Sequence, residues 1–450
     1  MPEGYLRVQL FQGSSARPID NAKIIVTPTG ESATRQTEID LVTDSSGVSQ
    51  IIPIDAPPFE NSQNPTGQIP YSFVDLRLEA RGFNTALIKG AQIYPNTVAL
   101  QEFNLRPDTG LTRVDDQIIL VEPNTLIGNF PPKIYEDPNK PLPKPTGGVV
   151  LPQPVVPEFV IVHQGSPNDP SAPNYTVPFT DYIKNVASCE IFATWPESTI
   201  RANVYCIISF TLNRIYTEWY PSKGKNFDIT SSTAYDHAFN YGRNIYENIS
   251  RIVDEIFSTY MKRPGRKQPL LAQYCDGIKV KCPGWLTQWG SKYLGDEGKV
   301  PFDILTSFYG TDLTLTRAEK VEGVPRSWPG YTLVLGSRGE AVRTVQEYLN
   351  RISQNYPAIP KSAVDGVYGV KTKEAVRKFQ QIFALPATGN TDYATWYRIS
   401  AIYVGVTEIA ELRSIDSSNF VERSFVPPVI YDGDDSLDVP SVTYWDDSIR

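Results

Sequence analysis

YIKNVASCEIFATWPESTIRANVYCIISFTLNR (residues 182–214) decides how the rest of the chain is read. Ile183, Val186, Ala187 and Ile191 recur at helical spacing, and after Trp195 and Pro196 the spacing resumes at Ile200, Val204, Ile207, Ile208 and Leu212. The stretch therefore predicts two helices broken at Trp195-Pro196. Proline suits the first turn of the second helix, where its missing N–H has no partner to lose. Glu190 stands at the edge of the first apolar stripe. A carboxylate there faces a cleft or water, because burial without a partner is costly.

Composition bounds what such a pair of helices can belong to. A chain of 450 residues with 40% hydrophobic content has material for about two to four domains with proper cores. No run of 18 apolar residues exists, so no membrane-spanning helix is expected. The start, MPEGYLRVQLFQG, lacks a basic n-region and a long apolar core, so no cleavable secretory signal is read. Net charge is −8, of which residues 415–450, with eight acidic and two basic side chains, supply −6. The nearly neutral remainder carries no nucleic-acid footprint. Only His163 and His237 are present, which leaves little for a zinc hydrolase or a Ser-His-Asp enzyme. No metal or other cofactor is expected, and chemistry run on carboxylates fits the inventory best.

Ahead of the two helices lie a β region and a linker. Residues 1–107 alternate polar and apolar positions, as in Leu6 to Leu10 and Ala22 to Val26, with turn clusters at Pro28-Thr29-Gly30 and Asp44-Ser45-Ser46-Gly47. This is the pattern of half-buried strands, and its order resembles the carboxypeptidase-regulatory-like β-sandwiches, which implies a structural or inhibitory module. Residues 108–158 read as a linker, with nine prolines among the 27 residues 131–157. Proline at that density favours an extended, accessible chain, a plain spacer or a place for an activating protease, softest at Gly147 and Gly148.

Residues 159–318 contain the opening stretch and two further landmarks. An amphipathic helix is expected over Ile245, Ile249, Ile252, Val253, Ile256 and Phe257, just after Tyr241-Gly242. Beyond it come Trp285, Leu286, Thr287, Gln288, Trp289 and Gly290, then ILTSFYG at 304–310. Tyr182, Val186, Glu190, Trp195, Pro196, Glu197, Ile200, Arg201 and Ala202 resemble the opening motif of the SpoIID family of lytic transglycosylases. The later segment resembles the same family's second signature, G-M-S-Q-Y/W-G-A followed by I-L-x-x-Y/F-Y-x-G. The resemblance implies that Glu190 is the catalytic acid; Gln288 is a candidate substrate contact, and Trp195, Trp285 and Trp289 either offer stacking faces for sugar rings or pack in the core. The resemblance departs at Lys281, Cys282, Pro283 and Gly284, where the family often has Gly-His-Gly. Cys275 and Cys282, separated by six residues with no histidine nearby, remain free thiols, a disulfide or half of a metal site. Cys189 with His237 as a cysteine-peptidase pair lacks an orienting third group.

Residues 331–402 predict a small three-helix module. LVLGSRGEAVRTVQEYLN (333–350) repeats apolar residues at Leu335, Val342, Val345 and Leu349. VDGVYGVKTKEAVRKFQQIFALPATGNTDYATWYRI (364–399) supplies a glycine-bearing turn at Asp365-Gly366 and Tyr368-Gly369, then helical apolar positions at Ala375, Val376, Phe379 and Phe383. These residues resemble the bacterial peptidoglycan-binding domain, which implies a sugar-contacting surface, with Tyr368 as the candidate. Residues 403–450 read as an acidic, flexible tail.

The expected architecture is thus multidomain α+β: an N-terminal β-sandwich, a mixed α/β SpoIID-like catalytic domain and a three-helix peptidoglycan-binding module. That order resembles the SleC-like spore cortex-lytic enzymes, which implies a zymogen in the spore cortex, coat or cell wall, with peptidoglycan glycan strands as partner. A lytic transglycosylase needs one carboxyl group, because the substrate's C6 hydroxyl replaces water; hydrolytic glycosidases usually need two. Glu190 as the acid requires a raised pKa, with apolar neighbours as the expected cause. The altered segment at 282–284 keeps a non-catalytic wall-binding protein as the alternative.

Overall fold

A computed structural model of the chain describes residues 2–30, 37–110, 116–127, 131, 133–134, 153–280 and 282–408. The first 120 residues run β1 (Glu3–Gln12), β2 (Lys23–Thr29), β3 (Ile39–Val42), β4 (Ile52–Asp55), β5 (Ser72–Glu79), β6 (Ala86–Ile93), β7 (Val98–Leu105) and β8 (Gln117–Leu120). They form two sheets, one holding β7-β1-β4 and the other β3-β2-β5-β6-β8. Alternation drives the packing: in β5, Ser72, Val74, Leu76 and Leu78 point inward while their neighbours are partly exposed. The boundary expected at 107 falls inside this region, because β8 adds a parallel edge strand beside β6.

The middle of the chain runs β9 (Phe159–His163), β10 (Asn174–Pro178), α1 (Phe179–Glu190), α2 (Glu197–Tyr216), β11 (Ile229–Thr230), β12 (Ile245–Tyr246), α3 (Glu247–Ile256), β13 (Thr259–Lys262), β14 (Tyr274–Cys275), β15 (Leu286–Thr287), α4 (Gln288–Asp296), α5 (Pro301–Tyr309) and β16 (Thr314–Arg317). The break between the first two helices lies where Trp195 and Pro196 stand, and Pro196 is the N-cap rather than a first-turn residue. α2 is buried almost all round, and α1, α3, α4, α5 and β13 pack on it. Such a helix sits at the centre of its domain. Gly290 of α4 lets it close on α5, since a Cβ there would meet Thr287 Oγ1 at 2.2 Å and Phe308 at 3.1 Å.

The β region is not a separate bead. β12 pairs antiparallel with β7, continuing the first sheet into the middle domain. Buried Gln92 and Asn244 exchange hydrogen bonds, Asn244 Nδ2 donating to Gln92 O at 2.9 Å and Gln92 N to Asn244 Oδ1 at 3.0 Å. Tyr94 touches Tyr71, Phe192 and Tyr246, so one apolar core runs through both regions. At Gly242, with φ 77°, an added Cβ would meet Ile119 of β8 at 3.2 Å, a left-handed close approach that favours glycine.

The C-terminal helices are α6 (Glu340–Ile352), α7 (Val370–Ile382) and α8 (Tyr393–Thr407). Leu333, not Leu335, joins their core: Leu333 is fully buried and Leu335 is 52% exposed. Two glutamines set the turns. Gln346 Nε2 donates to Asp365 Oδ1 and Val367 O, both at 3.0 Å, and Gln346 Oε1 accepts from Gly366 N at 2.9 Å. Gln380 does the same around Gly389 and Asn390. This module leans on the first sheet through Arg7 to Ile382 O, Tyr356 Oη to Ala16 O at 2.5 Å, and an Arg398–Glu102 pair at 3.1 Å. The proline run at 135–152 and the acidic tail from 409 onward lie outside the described residues.

Candidate functional site

Glu190 is the last residue of α1, and the chain turns away at extended Ile191. Its half-buried carboxylate is held from two directions. The backbone N–H of Ala238 donates to Oε1 at 2.7 Å, and Gln288 Nε2 donates to Oε2 at 3.0 Å. The same Gln288 nitrogen also donates to the Glu190 carbonyl at 2.7 Å, so one amide fixes side chain and helix end together. Two sequence stretches about a hundred residues apart thus meet at one carboxylate.

The loop that brings Ala238 here is anchored by a buried ion pair. Arg214 Nε donates to Asp236 Oδ1 at 2.7 Å with both side chains fully buried. Tyr220 Oη and Thr230 Oγ1 each donate to Asp236 Oδ2 at 2.6 Å. Every carboxylate oxygen of Asp236 has a partner, which is the condition under which a buried pair is tolerated. His237 lies behind the site, sharing a 3.0 Å hydrogen bond with Tyr182 Oη and packed near Phe210 and Tyr274. Burial holds its imidazole well below the ordinary histidine value, so it is neutral.

A cleft of about 60 Å³ contains Glu190 and Gln288 with Tyr274, Asp276 and Thr233 on its walls. Burial, and then the charge of Glu190, push the Tyr274 phenol well above its usual range. Asp276 brings a second carboxylate. Its Oδ1 accepts from the backbone N–H groups of Ile278, Lys279 and Val280, at 2.8 to 3.2 Å, while buried Oδ2 has no partner among the described residues. Neither Tyr274 nor Asp276 stands out in the sequence: no periodicity or spacing marks them, and only the turn that follows brings them to Glu190.

Described residues that follow β8 roof the cleft. Asn124 Nδ2 donates to Ser188 O at 3.1 Å and Ile191 O at 3.3 Å, seating it on the end of α1. Thr125, Leu126, Pro131 and Lys133 then line the cleft. Lys133 Nζ donates to Asp236 O, and Ile134 N donates to Ala234 O. Thr125 and Leu126 also line a second hollow of about 50 Å³ floored by Phe192 and Trp289. The roof separates the two.

Three aromatic residues that the sequence offers as candidate sugar contacts are buried. Trp195 is 3% exposed and its Nε1 donates to Ser62 O at 2.9 Å; Trp289 is 2% exposed and packs edge-on to Trp195 and Phe192. Tyr368 is fully buried, its hydroxyl donating to Gly389 O at 3.0 Å, with its pKa pushed up to about 12 by burial. Their rings complete cores, Trp195 and Tyr368 with bonded tips and Trp289 with Nε1 lacking a partner among the described residues. Trp285 keeps partial exposure.

The cysteine alternatives resolve. Cys275 and Cys282 form a disulfide, and no group of metal-binding side chains occurs among the described residues. Cys189 accepts from Arg243 NH1 at 3.2 Å, yet burial outweighs that charge and raises its pKa. His237 bonds to Tyr182 instead, so the pair needed for thiol catalysis is not assembled. Among the described residues no helix is long and apolar enough to cross a membrane.

Comparison with known proteins adds one firm assignment. Residues 338–399 match the family described as "Putative peptidoglycan binding domain", so the chain carries a C-terminal domain of that kind and peptidoglycan is the ligand it points to. The match identifies no catalytic family. No curated protein matches the chain. Three solved structures overlap it: the TIE protein of Bacillus anthracis (12% identity, 24% of this chain, 17% of that one, TM-score 0.17), the catechol 1,2-dioxygenase of Acinetobacter sp. ADP1 inhibited by bound mercury (13%, 26%, 58%, 0.17), and a leucine-rich repeat protein of Bacteroides thetaiotaomicron VPI-5482 (14%, 24%, 12%, 0.15). The chain spans less than two thirds of each, and overlaps this small carry no argument about fold or activity.

Proposed function

We propose that this chain is a lytic transglycosylase of peptidoglycan, with spore cortex as its substrate, held back until a protease acts. The observation that carries the reading is Gln288 and Ala238 gripping Glu190 from opposite sides at the mouth of a cleft. Both signatures that resemble the SpoIID family thereby converge on the one carboxyl group such chemistry requires. Glu190 protonates the leaving oxygen between N-acetylmuramic acid and N-acetylglucosamine. Its carboxylate then accepts the C6 hydroxyl proton as that oxygen attacks the anomeric carbon, closing a 1,6-anhydro ring. The peptidoglycan-binding domain supports the substrate class, and the roof over the cleft supports a held-back form.

Two observations favour other readings. Asp276, with a free buried oxygen in the same cleft, is positioned in kind to serve a water-using hydrolase. A cleft of about 60 Å³ also suits a wall-binding protein without turnover. Mass spectrometry of digested cortex peptidoglycan separates the readings. Ends carrying 1,6-anhydro-muramic acid support the transglycosylase, reducing ends the hydrolase, and free stem peptides an amidase; the absence of any product from either the intact or the cleaved chain favours the binder.

A further inference from the structure

A second cavity, of about 430 Å³, opens where the three folded parts of the chain meet. Phe59 after β4, Thr194 between α1 and α2, Glu247 and Arg251 on α3, and Pro386 between α7 and α8 contribute its walls. It shares no lining residue with the Glu190 cleft. Its volume lies in the ~300–1,000 Å³ range of small-molecule sites.

The protein leaves polar groups unfinished here. Thr194 Oγ1 and Arg251 Nε are buried atoms without a hydrogen-bond partner among the described residues. Arg251 turns its NH2 to Glu197 at 3.2 Å, so the half-buried Glu247, one helical turn earlier, has no ion pair among the described residues. Interiors rarely leave such groups unsatisfied without cause. Asn96 and Ala384, both at positive φ (57° and 53°), line the same cavity. A left-handed alanine is a strained backbone of the kind that gathers at ligand sites.

We propose that this cavity binds a saccharide unit of a glycan strand. A carboxylate that only accepts, a guanidinium that only donates and a hydroxyl that does both match ring hydroxyls, which do both. Phe59, 37% exposed, and Pro386 offer apolar faces to the C–H side of the ring. Glu247 disfavours a phosphate or carboxylate occupant, and Arg251 disfavours an amine. A neutral polyol satisfies both. Pro386 belongs to the peptidoglycan-binding domain, so identifying the sugar as peptidoglycan's rests on that reading. The site itself is independent of any role for Glu190.

The test uses the full chain with tetra-N-acetylchitotetraose as probe, followed by calorimetry and by amide shifts of Asn96, Thr194 and Ala384. Wild type should bind saturably and shift those amides. Thr194→Val, Phe59→Ala and Arg251→Ala should each weaken binding at least tenfold with thermal midpoint little changed. Glu190→Gln should bind as wild type, whatever its effect on turnover. Absence of shifts at these amides, or wild-type affinity in all three cavity variants, overturns the proposal. Stronger displacement by inorganic phosphate than by the sugar overturns it as well.

Discussion

Glu190 makes its case through its partners. A glutamine at 190 keeps an oxygen for Ala238 N–H, and Gln288 stays seated on the residue-190 carbonyl, so Glu190→Gln should fold normally. Losing a general acid typically costs 10²–10⁴-fold, and turnover on cortex fragments should fall by at least ~10²-fold. Parental rates would remove Glu190 from the mechanism. His237 carries a separate prediction about acid. The folded chain keeps it neutral, while the unfolded chain protonates it below about pH 6.5. The unfolded state therefore binds more protons below that pH, and stability should fall as pH drops from 6.5 and be flat above. His237→Gln keeps a polar partner for Tyr182 and should shed that slope, read as urea midpoints at pH 5 and 7. An unchanged slope would locate the effect elsewhere. At this scale the sequence was legible where a motif named the residue, as for Glu190 and Gln288. It was silent on Ala238, which acts through its backbone, and on Asp276, whose place depends on a turn. For Trp195, Trp289 and Tyr368 the sequence left core and sugar-contact roles both open, because residue type says nothing about which way a ring faces.

Among the elements, α2 and the loop after β11 depend on one another. Asp236 ties Arg214 of the helix to Thr230 and Tyr220, and the loop then delivers Ala238 to Glu190. Asp236→Ala strands a fully buried guanidinium, which generally costs about 3–5 kcal/mol. Denaturant unfolding should report a loss of that size, with activity falling at temperatures where the variant is still folded, because Ala238 drifts. A loss under about 1 kcal/mol would mean that Arg214 finds other partners; its guanidinium already lies over Phe210 and Trp219. The long helices α1, α2, α6 and α7 were legible because 3.6-residue periodicity accumulates over three or more turns. The two-residue strands β11, β12, β14 and β15 are too short to carry any period. β12 is nevertheless what joins the middle domain to the first sheet, and that is why the β region looked separable in the sequence.

For the whole molecule, that join changes what cutting the linker can do. A domain held only by its tether leaves when the effective concentration, in the ~mM range for short linkers, is lost. Here the first sheet continues into β12, Tyr94 packs on Phe192 and Tyr246, and the C-terminal module binds the same sheet through Arg7 and Arg398. After cleavage near residue 149 the two fragments should therefore co-elute in gel filtration without denaturant. Clean separation would mean the shared core is weaker than its burial implies. Activation, on this view, comes from the roof rather than from departure of the β region. Asn124 seats the stretch with Thr125 and Leu126 on α1, and Lys133 and Ile134 are clipped to the 234–236 loop. Lifting them joins the Glu190 cleft to the hollow floored by Phe192 and Trp289, since Thr125 and Leu126 wall both. That groove would give Trp289 the sugar-facing surface it lacks when roofed. Asn124→Ala with Lys133→Ala should raise the rate of the uncut chain on cortex fragments severalfold, towards that of the cleaved form, while leaving co-elution intact. If the double variant stays as slow as the parent and cleavage alone accelerates it, the roof is not the restraint.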